Sequence, residues 1–380
     1  MKTDFAFKRS AVAWHQVLTG LRRFGAAVRT DLSGLRPGKS SASRGGSCST
    51  KTDGTGKPLI FASYATDDAM KGSHRFCGGE KLLNNLILLL RRRGYDAWMV
   101  SLDGKHAGWL AEHAPFLSIG QFEEKIRTAA DVRCVTSWLK ATPYLNLCPR
   151  FYFWDQELSA SSRSHFPDLA RMVAQDRIIR TAGVNRAVQA FHRAIFETPA
   201  LVLRQLIDEE HWKPDPSRRI PTRVGYFDEG DHGAEFIRRI RELTVSAGLA
   251  LEFVQLAGVE TEIISQMQEC GTFLALNVGK SPLWGEGGPM SPQEAIACGT
   301  VPVCFDINGP WELIQQHYNG VIVADFTPDA MARELIGIYS KPDLWETMSR
   351  RSLEMSAISH SMQARWPDVA RFLDLPLEGP

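Results

Sequence analysis

Two carboxylates, Glu286 and Glu294, flank a glycine-rich stretch whose residue types could bind a phosphorylated ligand. The glycines between them permit backbone angles closed to other residues and let a ligand approach the main chain. The helix that follows is predicted to begin with Ser291 as N-cap and Pro292 at its first position. Its free amides and the positive end of its dipole would then face the loop, where an anionic group is stabilised.

The role of Glu294 has a second interpretation. Ser291-Pro292-Gln293-Glu294 also matches a capping box, in which the glutamate reaches back to the amide of its own N-cap. Glu286 lies in the loop and has no comparable structural explanation. The residues alone leave open whether Glu294 contacts a ligand or only caps the helix.

The elements around these glutamates form a strand, loop, helix and strand. Thr272–Leu276 and Val301–Phe305 are short apolar runs typical of buried parallel strands, and Gly299 ends the helix between them. The same alternation occurs in the first half of the chain, from Leu59 to Ile195. Strands spaced by helical patterns predict α/β domains with doubly wound sheets, whose active residues follow the carboxyl ends of strands.

A family resemblance covers the second half of the chain. The paired glutamates, followed by Ala295–Val303 and Asn308–Ile314, resemble the donor-site signature of retaining glycosyltransferases of family 4, which have the GT-B fold. The resemblance implies two Rossmann-like domains facing a cleft. It also implies that Glu286 lies against the donor sugar and that Glu294 holds the ribose hydroxyls of the nucleotide. Amides of the loop would contact sugar and phosphate; these residues are Gly287, Gly288, Pro289, Met290 and Ser291.

The first half resembles the same family more weakly. Gly78-Gly79-Glu80 is similar to a family loop that lies at the cleft, although the two glycines could simply make a turn. Asp155 follows a predicted strand and is a candidate for binding an acceptor hydroxyl, or an ordinary surface carboxylate. Its segment, Phe151–Glu157, is similar to one in rhamnan-type polysaccharide glycosyltransferases.

One departure from the family concerns the donor diphosphate. Members carry an arginine and a lysine after the first strand of the second domain, whereas this chain has the acidic stretch Gly225–Gly233. Lys280 is the nearest candidate replacement, or else a solvated loop lysine. Arg75, Lys81 and Arg223 are further candidates, and helix amides could supply part of the charge.

The chain divides into four predicted parts. Residues 1–56 are a basic segment and flexible tether, 57–215 an acceptor domain, 216–355 a donor domain, and 356–380 a helix that crosses back to the first domain. Residues 1–57 contain eleven Lys or Arg and three Asp, whereas the whole chain has a net charge of +1. The basic amphipathic segment at 5–28 could contact an anionic membrane surface, pack on the protein itself, or act as a targeting peptide.

Composition excludes several other classes. The body outside the N-terminal segment is mildly acidic, which argues against nucleic-acid binding. The seven cysteines are odd in number and have no CxxC pair, so they predict buried thiols in a reducing compartment rather than disulfides or a zinc site. No apolar run is long enough for a transmembrane helix.

The resemblance therefore predicts a metal-independent, retaining glycosyltransferase of the hexosyltransferase type, without a separate cofactor. It would transfer a sugar from a nucleotide-sugar donor to a glycan or lipid-linked acceptor in polysaccharide or cell-surface glycan synthesis. We expect it in the cytoplasm, with peripheral contact to the inner membrane face through residues 5–28. The alternatives are a degenerate member that binds a nucleotide sugar or glycan, or scaffolds a partner, without turnover, and a nucleotide-sugar epimerase of the same fold.

Overall fold

The structure is a computed structural model. It describes residues 57–63, 78–106, 108–139, 141–156, 166–196, 199–227, 230–276, 289–307 and 309–378. The predicted N-terminal segment at 1–56 lies outside the described residues. So do four predicted site residues: Lys280, Glu286, Gly287 and Gly288.

The N-terminal half forms a seven-stranded parallel sheet with the order β3-β2-β1-β4-β5-β6-β7. Its strands are β1 Leu59–Ser63, β2 Ala97–Ser101, β3 Phe116–Ser118, β4 Val132–Thr136, β5 Phe151–Asp155, β6 Ile178–Gly183 and β7 Ala200–Val202. Its helices are α1 Gly78–Arg92, α2 Ile119–Thr128, α3 Thr142–Leu147, α4 Phe166–Ala174 and α5 Arg186–Phe196. The strand order reverses between β1 and β4, so a ligand is expected outside the carboxyl end of β1.

The C-terminal half forms a five-stranded parallel sheet with the order β12-β11-β10-β8-β9. Its strands are β8 Ile220–Phe227, β9 Glu252–Leu256, β10 Cys270–Ala275, β11 Val301–Phe305 and β12 Val321–Val323. Its helices are α6 Gly230–Ser246, α7 Glu260–Glu269, α8 Met290–Cys298 and α9 Pro328–Tyr339. The strand order reverses between β8 and β10, and α8 follows β10 along the chain.

Two helices close the chain, α10 Pro342–Ser359 and α11 Met362–Leu373. Helix α11 follows the second domain in the chain but packs on the first domain. Trp366 and Phe372 belong to the same buried cluster as Ile60 and Leu83, and the Tyr95 and Trp366 rings lie 6.0 Å apart. The first domain therefore includes the end of the chain in its core.

These sheets confirm the predicted pair of Rossmann-like α/β domains, with local differences. The three-residue strands β3 and β7 were not predicted from the sequence. It also predicted a helix from Trp311, where the structure has a single 3₁₀ turn at Gly309–Glu312. Among the described helices, none is both long and apolar enough to span a membrane.

Candidate functional site

Each sheet has a switch point, the place where its strand order reverses. Helices α1 and α8 begin at the switch points of the two sheets, and their N-terminal ends meet. A Cβ atom added at Gly78 would lie 3.9 Å from the Met290 sulfur. The Met290 side chain packs against buried clusters of both domains. Two sets of free helix amides, and the positive ends of two dipoles, therefore face the same region between the domains.

One turn into these helices, Lys81 of α1 is hydrogen-bonded and ion-paired to Glu294 of α8. The same ammonium is ion-paired to Glu260, the first residue of α7. All three side chains are buried, with side-chain exposures of 6% for Lys81 and 8% for each glutamate. A single cation from the first domain thus lies between two carboxylates of the second.

The Glu260 carboxylate has further donors besides Lys81. The amide of Ala111 donates to it at 2.7 Å, and the Trp212 indole nitrogen donates at 2.9 Å. Its own amide donates to the Trp109 carbonyl at 2.8 Å. Lys81 also lies 4.4 Å from the centroid of the Trp212 ring, a favourable position for a cation over an aromatic face. Glu260 is therefore bound to both domains and to the segment that joins them.

Burial and charge affect the three groups differently. Burial lowers the pKa of Lys81, but Glu294 and Glu260 outweigh it and raise the pKa above its usual value. Burial raises the pKa of Glu294, and Lys81 offsets this only in part. Burial acts in the same sense on Glu260, but Lys81 and the Ala111 amide outweigh it, so the Glu260 pKa is lowered. Lys81 and Glu260 are therefore ionised at neutral pH, and Glu294 is the group of the cluster that takes up a proton most readily.

The start of α8 corrects one prediction. The N-cap is Pro289 rather than Ser291, its side chain makes no capping bond, and the helix begins at Met290. Pro292 is tolerated in the first turn because the amide it lacks has no partner there in any helix. The capping-box interpretation of Glu294 is therefore wrong, since its carboxylate is paired with Lys81 instead.

The predicted site residues of the second domain lie at this helix start. Pro289 is buried, Met290 and Ser291 are half-buried, and Glu294 is buried one turn further on. Gly299 ends the helix with a φ of 75°, a left-handed conformation that favours glycine.

The predicted residues of the first domain occupy two environments. Gly78 is exposed and Gly79 half-buried in the first turn of α1, and the Gly79 carbonyl accepts from Gln156 at 3.4 Å. Asp155 ends β5 but is only 2% exposed, and one of its oxygens lies 2.6 Å from Nε2 of His192. Asp155 therefore belongs to a buried carboxylate–imidazole pair.

Two of the candidate replacements for the missing basic pair have other partners. Arg223 donates to Glu252 at 2.9 Å and is also paired with Glu269. Lys81 is paired as described above. Lys280 and Arg75 lie outside the described residues.

A second charged contact joins the domains through Glu312. Its carboxylate accepts from the Arg186 amide at 2.7 Å and from Nε of Arg204 at 2.9 Å. Arg186 begins α5 of the first domain, so a carboxylate of the second domain lies at a helix N-terminus of the first.

Among the described residues, one group of side chains comes within metal-ligating distance. Candidate ligand atoms of Glu112, Asp208 and His211 lie within 4.8 Å of one another. Arg92 already donates to Glu112 at 2.6 Å and to Asp208 at 2.8 Å. An arginine therefore compensates these carboxylates, and the cluster is explained as an ion-pair network.

Glu260, Trp212 and His192 were not identified from the sequence. Glu260 opens a polar helix start that resembles any solvated N-terminus, and Trp212 lies in what looks like a linker. Lys81 was considered only for phosphate binding. No local pattern reveals that these residues meet, because the contacts join segments far apart in the chain.

The geometry agrees with the comparisons to known proteins. Residues 238–355 match the family model described as glycosyl transferases group 1. None of the curated protein sequences matches the chain significantly.

Several solved structures share the fold. The Anabaena HepE structure in complex with UDP has a TM-score of 0.61 and 12% identity, covering 83% of this chain and 99% of that one. Sucrose-phosphate synthase from Thermosynechococcus elongatus has a TM-score of 0.62 and 14% identity, covering 83% and 98%. TarM, from S. aureus, has a TM-score of 0.65 and 9% identity, covering 83% and 99%.

Two Rossmann-like domains that meet through helix N-termini at their switch points define a protein of the GT-B class. The match over 238–355 lies within the C-terminal domain, so this part of the chain is similar to glycosyl transferases group 1.

Proposed function

We propose that the protein transfers a sugar from a nucleotide-sugar donor to a glycan or lipid-linked acceptor, with retention at the anomeric carbon. The single observation that supports this most is the position of Glu294. It lies one turn into α8, at the switch point of a group 1 domain and opposite the N-terminus of α1. A buried carboxylate there is suited to accept hydrogen bonds from ribose hydroxyls.

The donor diphosphate is proposed to lie against the facing N-termini of α1 and α8. Helix amides and dipoles stabilise phosphate without a bound metal. They replace part of the positive charge that the arginine–lysine pair, absent here, supplies elsewhere in the family. Gly78, Gly79 and the amides of Gly287–Ser291 would supply these donors, with Lys280 as the proposed cation. Two HepE structures are complexes with UDP-glucose, and with UDP and glucose, which makes a uridine donor the first to test.

Glu286 is proposed to contact the donor sugar. In the retaining reaction the acceptor oxygen bonds to the anomeric carbon on the face from which the diphosphate departs, and the diphosphate takes up the hydroxyl proton. No covalent nucleophile of the protein is required. Asp155 remains a proposed residue of the acceptor domain, where its buried pair with His192 would act by shaping the strand end.

The test is release of nucleoside diphosphate from a panel of nucleotide sugars, after a thermal-shift screen of the same panel. We expect at least one donor to be turned over and Glu286→Gln to lower kcat by roughly 100-fold, the scale for losing a group that stabilises the transition state. Arg92→Met is the matched control, because its ion pairs lie within the first domain. Turnover that is unchanged in Glu286→Gln would contradict the assigned role.

The acidic stretch that replaces the basic pair favours a second candidate, a protein that binds a nucleotide sugar or glycan without turnover. Stabilisation by a nucleotide sugar, combined with no diphosphate release in the presence of any acceptor tried, would support that alternative.

The proposed location is the cytoplasmic side of the membrane, with residues 5–28 as the peripheral contact and polysaccharide or cell-surface glycan synthesis as the process. The test is sedimentation with anionic liposomes. The full chain is expected to pellet and a chain starting at Lys57 to stay in solution; equal pelleting would remove the role of the leading segment.

A further inference from the structure

The buried cluster of Lys81, Glu260 and Glu294 is more than a contact between domains, because its charges do not balance. It contains one cation and two carboxylates, all nearly inaccessible to water. A buried carboxylate without a paired cation is unstable in its ionised form and takes up a proton instead. One of the two glutamates must therefore be protonated more readily than the other, and the contacts around each glutamate determine which one.

We propose that Lys81 is a positioning residue for the donor nucleotide: it keeps Glu294 ionised and fixed in orientation, while Glu260 holds Lys81 in place. This inference rests on the proposed function, in which Glu294 accepts hydrogen bonds from the ribose. Lys81 acts through Glu294 and is not assigned a contact with the reacting atoms.

The hydrogen bonds of the two glutamates are unequal. Glu260 accepts from Ala111, Trp212 and Lys81, so its charge is stabilised by three donors. Within the described residues, Glu294 has a single side-chain donor, the ammonium of Lys81. Among the residues that the structure describes, loss of Lys81 therefore leaves Glu260 two donors and Glu294 none.

The protonation state of Glu294 matters for the ligand. An ionised carboxylate accepts several hydrogen bonds, whereas a protonated carboxyl group uses one oxygen as a donor. A bidentate contact, in which each carboxylate oxygen accepts from one ribose hydroxyl, requires the ionised form. A variant that raises the pKa of Glu294 should therefore bind nucleotide only at higher pH.

The two partners of Glu294 act on it in opposite senses. Lys81 stabilises its charge, and Glu260 destabilises it by repulsion. Removing the charge of Lys81 should raise the pH at which binding is half-maximal, and removing the charge of Glu260 should lower it. A general loss of packing would not produce two shifts of opposite sign.

Other titratable groups near Glu294 do not account for two pH shifts of opposite sign. Among the described residues, Cys298 of the same helix is a further titratable neighbour, and burial raises its pKa to about 12. His113 lies near Glu260, and burial lowers the pKa of its imidazole. Arg219 donates to the Cys298 carbonyl and to Thr300 and stays cationic in the range tested. The nucleotide phosphates also titrate, but this contribution is the same for all variants and cancels in the comparison.

The experiment is calorimetric titration of UDP into the full chain from pH 5.5 to pH 9, with GDP, ADP or dTDP used if UDP does not bind. Lys81→Met should weaken binding at pH 7 by about 10- to 100-fold, the factor for lost hydrogen bonds to a charged group. Its binding midpoint should move up by about one pH unit or more. Glu260→Gln should move the midpoint down, and Lys81→Arg should return it toward the wild-type value.

Steady-state kinetics give a second readout. Lys81→Met should raise the KM for the donor more than it lowers kcat, because the lysine acts on ground-state binding of the nucleotide. Arg92→Met, on the same helix but paired with Asp208 and Glu112, is the matched control and should change neither quantity.

The outcomes distinguish a failure of the proposed function from a failure of the role assigned to Lys81. If the wild-type protein binds none of the four diphosphates, the proposed function fails. If it binds one, and Lys81→Met keeps the wild-type affinity and midpoint, the role of Lys81 is refuted. Should Lys81→Met not fold, Glu260→Gln decides alone: a lower midpoint supports the proposal, and an unchanged or higher midpoint overturns it.

Discussion

The ammonium of Lys81 is hydrogen-bonded to Glu294 although 213 residues separate them in the chain. This contact excludes the local explanation of Glu294 as a helix-capping residue. It also joins the first turns of two helices that begin at the switch points of different sheets. The proposed nucleotide site and the contact between the domains are therefore the same structural feature.

We predict that the Arg204–Glu312 contact stabilises the arrangement of the domains. The two side chains are 22% and 17% exposed, and the carboxylate also accepts from the Arg186 amide. Arg204→Met should lower the free energy of unfolding by about 1–3 kcal/mol, measured by urea denaturation, because it removes hydrogen bonds to a partly buried charge.

Arg150→Met is the control, since Arg150 and Asp176 are 52% and 84% exposed. Exposed pairs contribute about 0–1 kcal/mol. Equal effects of the two substitutions would contradict a special role for Glu312.

We predict that the C-terminal helix is part of the first domain's core. Trp366 is 3% exposed, and its indole nitrogen donates to the Leu377 carbonyl at 2.7 Å. Trp366→Ala should cost about 3–5 kcal/mol of stability, the range for removing a large buried side chain. Trp311, which is 55% exposed, offers the same substitution at the surface. A loss from Trp311→Ala as large as that from Trp366→Ala would refute the packing described for α11.

We predict that His360 makes the protein less stable in acid. It is 1% exposed, and burial, with Arg365 and Arg204 nearby, lowers its pKa to about 3. The unfolded chain then binds more protons than the folded chain between about pH 6.5 and pH 3, so stability falls as the pH falls through that range. The contribution of this residue should decrease by about 2 kcal/mol between pH 7.5 and pH 5.

The measurement compares denaturation of the wild-type protein and His360→Asn at both pH values. The asparagine does not titrate, so the difference between the two pH values should shrink by that amount. An identical pH dependence in both proteins would show that His360 is not held neutral.

The sequence predicted the sheets better than the contacts between them. The run Val301–Phe305 is buried at every residue and reads as an uninterrupted apolar segment, so its position followed directly. The strands Phe116–Ser118 and Ala200–Val202 have three residues each, too few to establish a period. Tertiary pairing with longer neighbours decides their conformation.

Only the part of the candidate site that forms a local sequence pattern could be predicted. The glutamate pair and its loop form a local pattern, and the residues around Glu294 indeed lie at a switch point. The helix start was misplaced because Ser291 and Pro292 fit the preferences of a first turn at two registers. Glu260 could not be recognised, since the donors that make it a buried anion come from Ala111 and Trp212, far away in the chain.

The most direct test of the account is whether Glu294 holds the ribose of the nucleotide. Affinities of wild-type protein and Glu294→Gln are measured for a ribonucleoside diphosphate and for its 2′,3′-dideoxy analogue. We predict that the wild-type protein prefers the ribonucleotide by about 10- to 100-fold, as expected for hydrogen bonds to a charged group, and that Glu294→Gln loses most of this preference. A preference of the same size in both proteins would contradict the central claim.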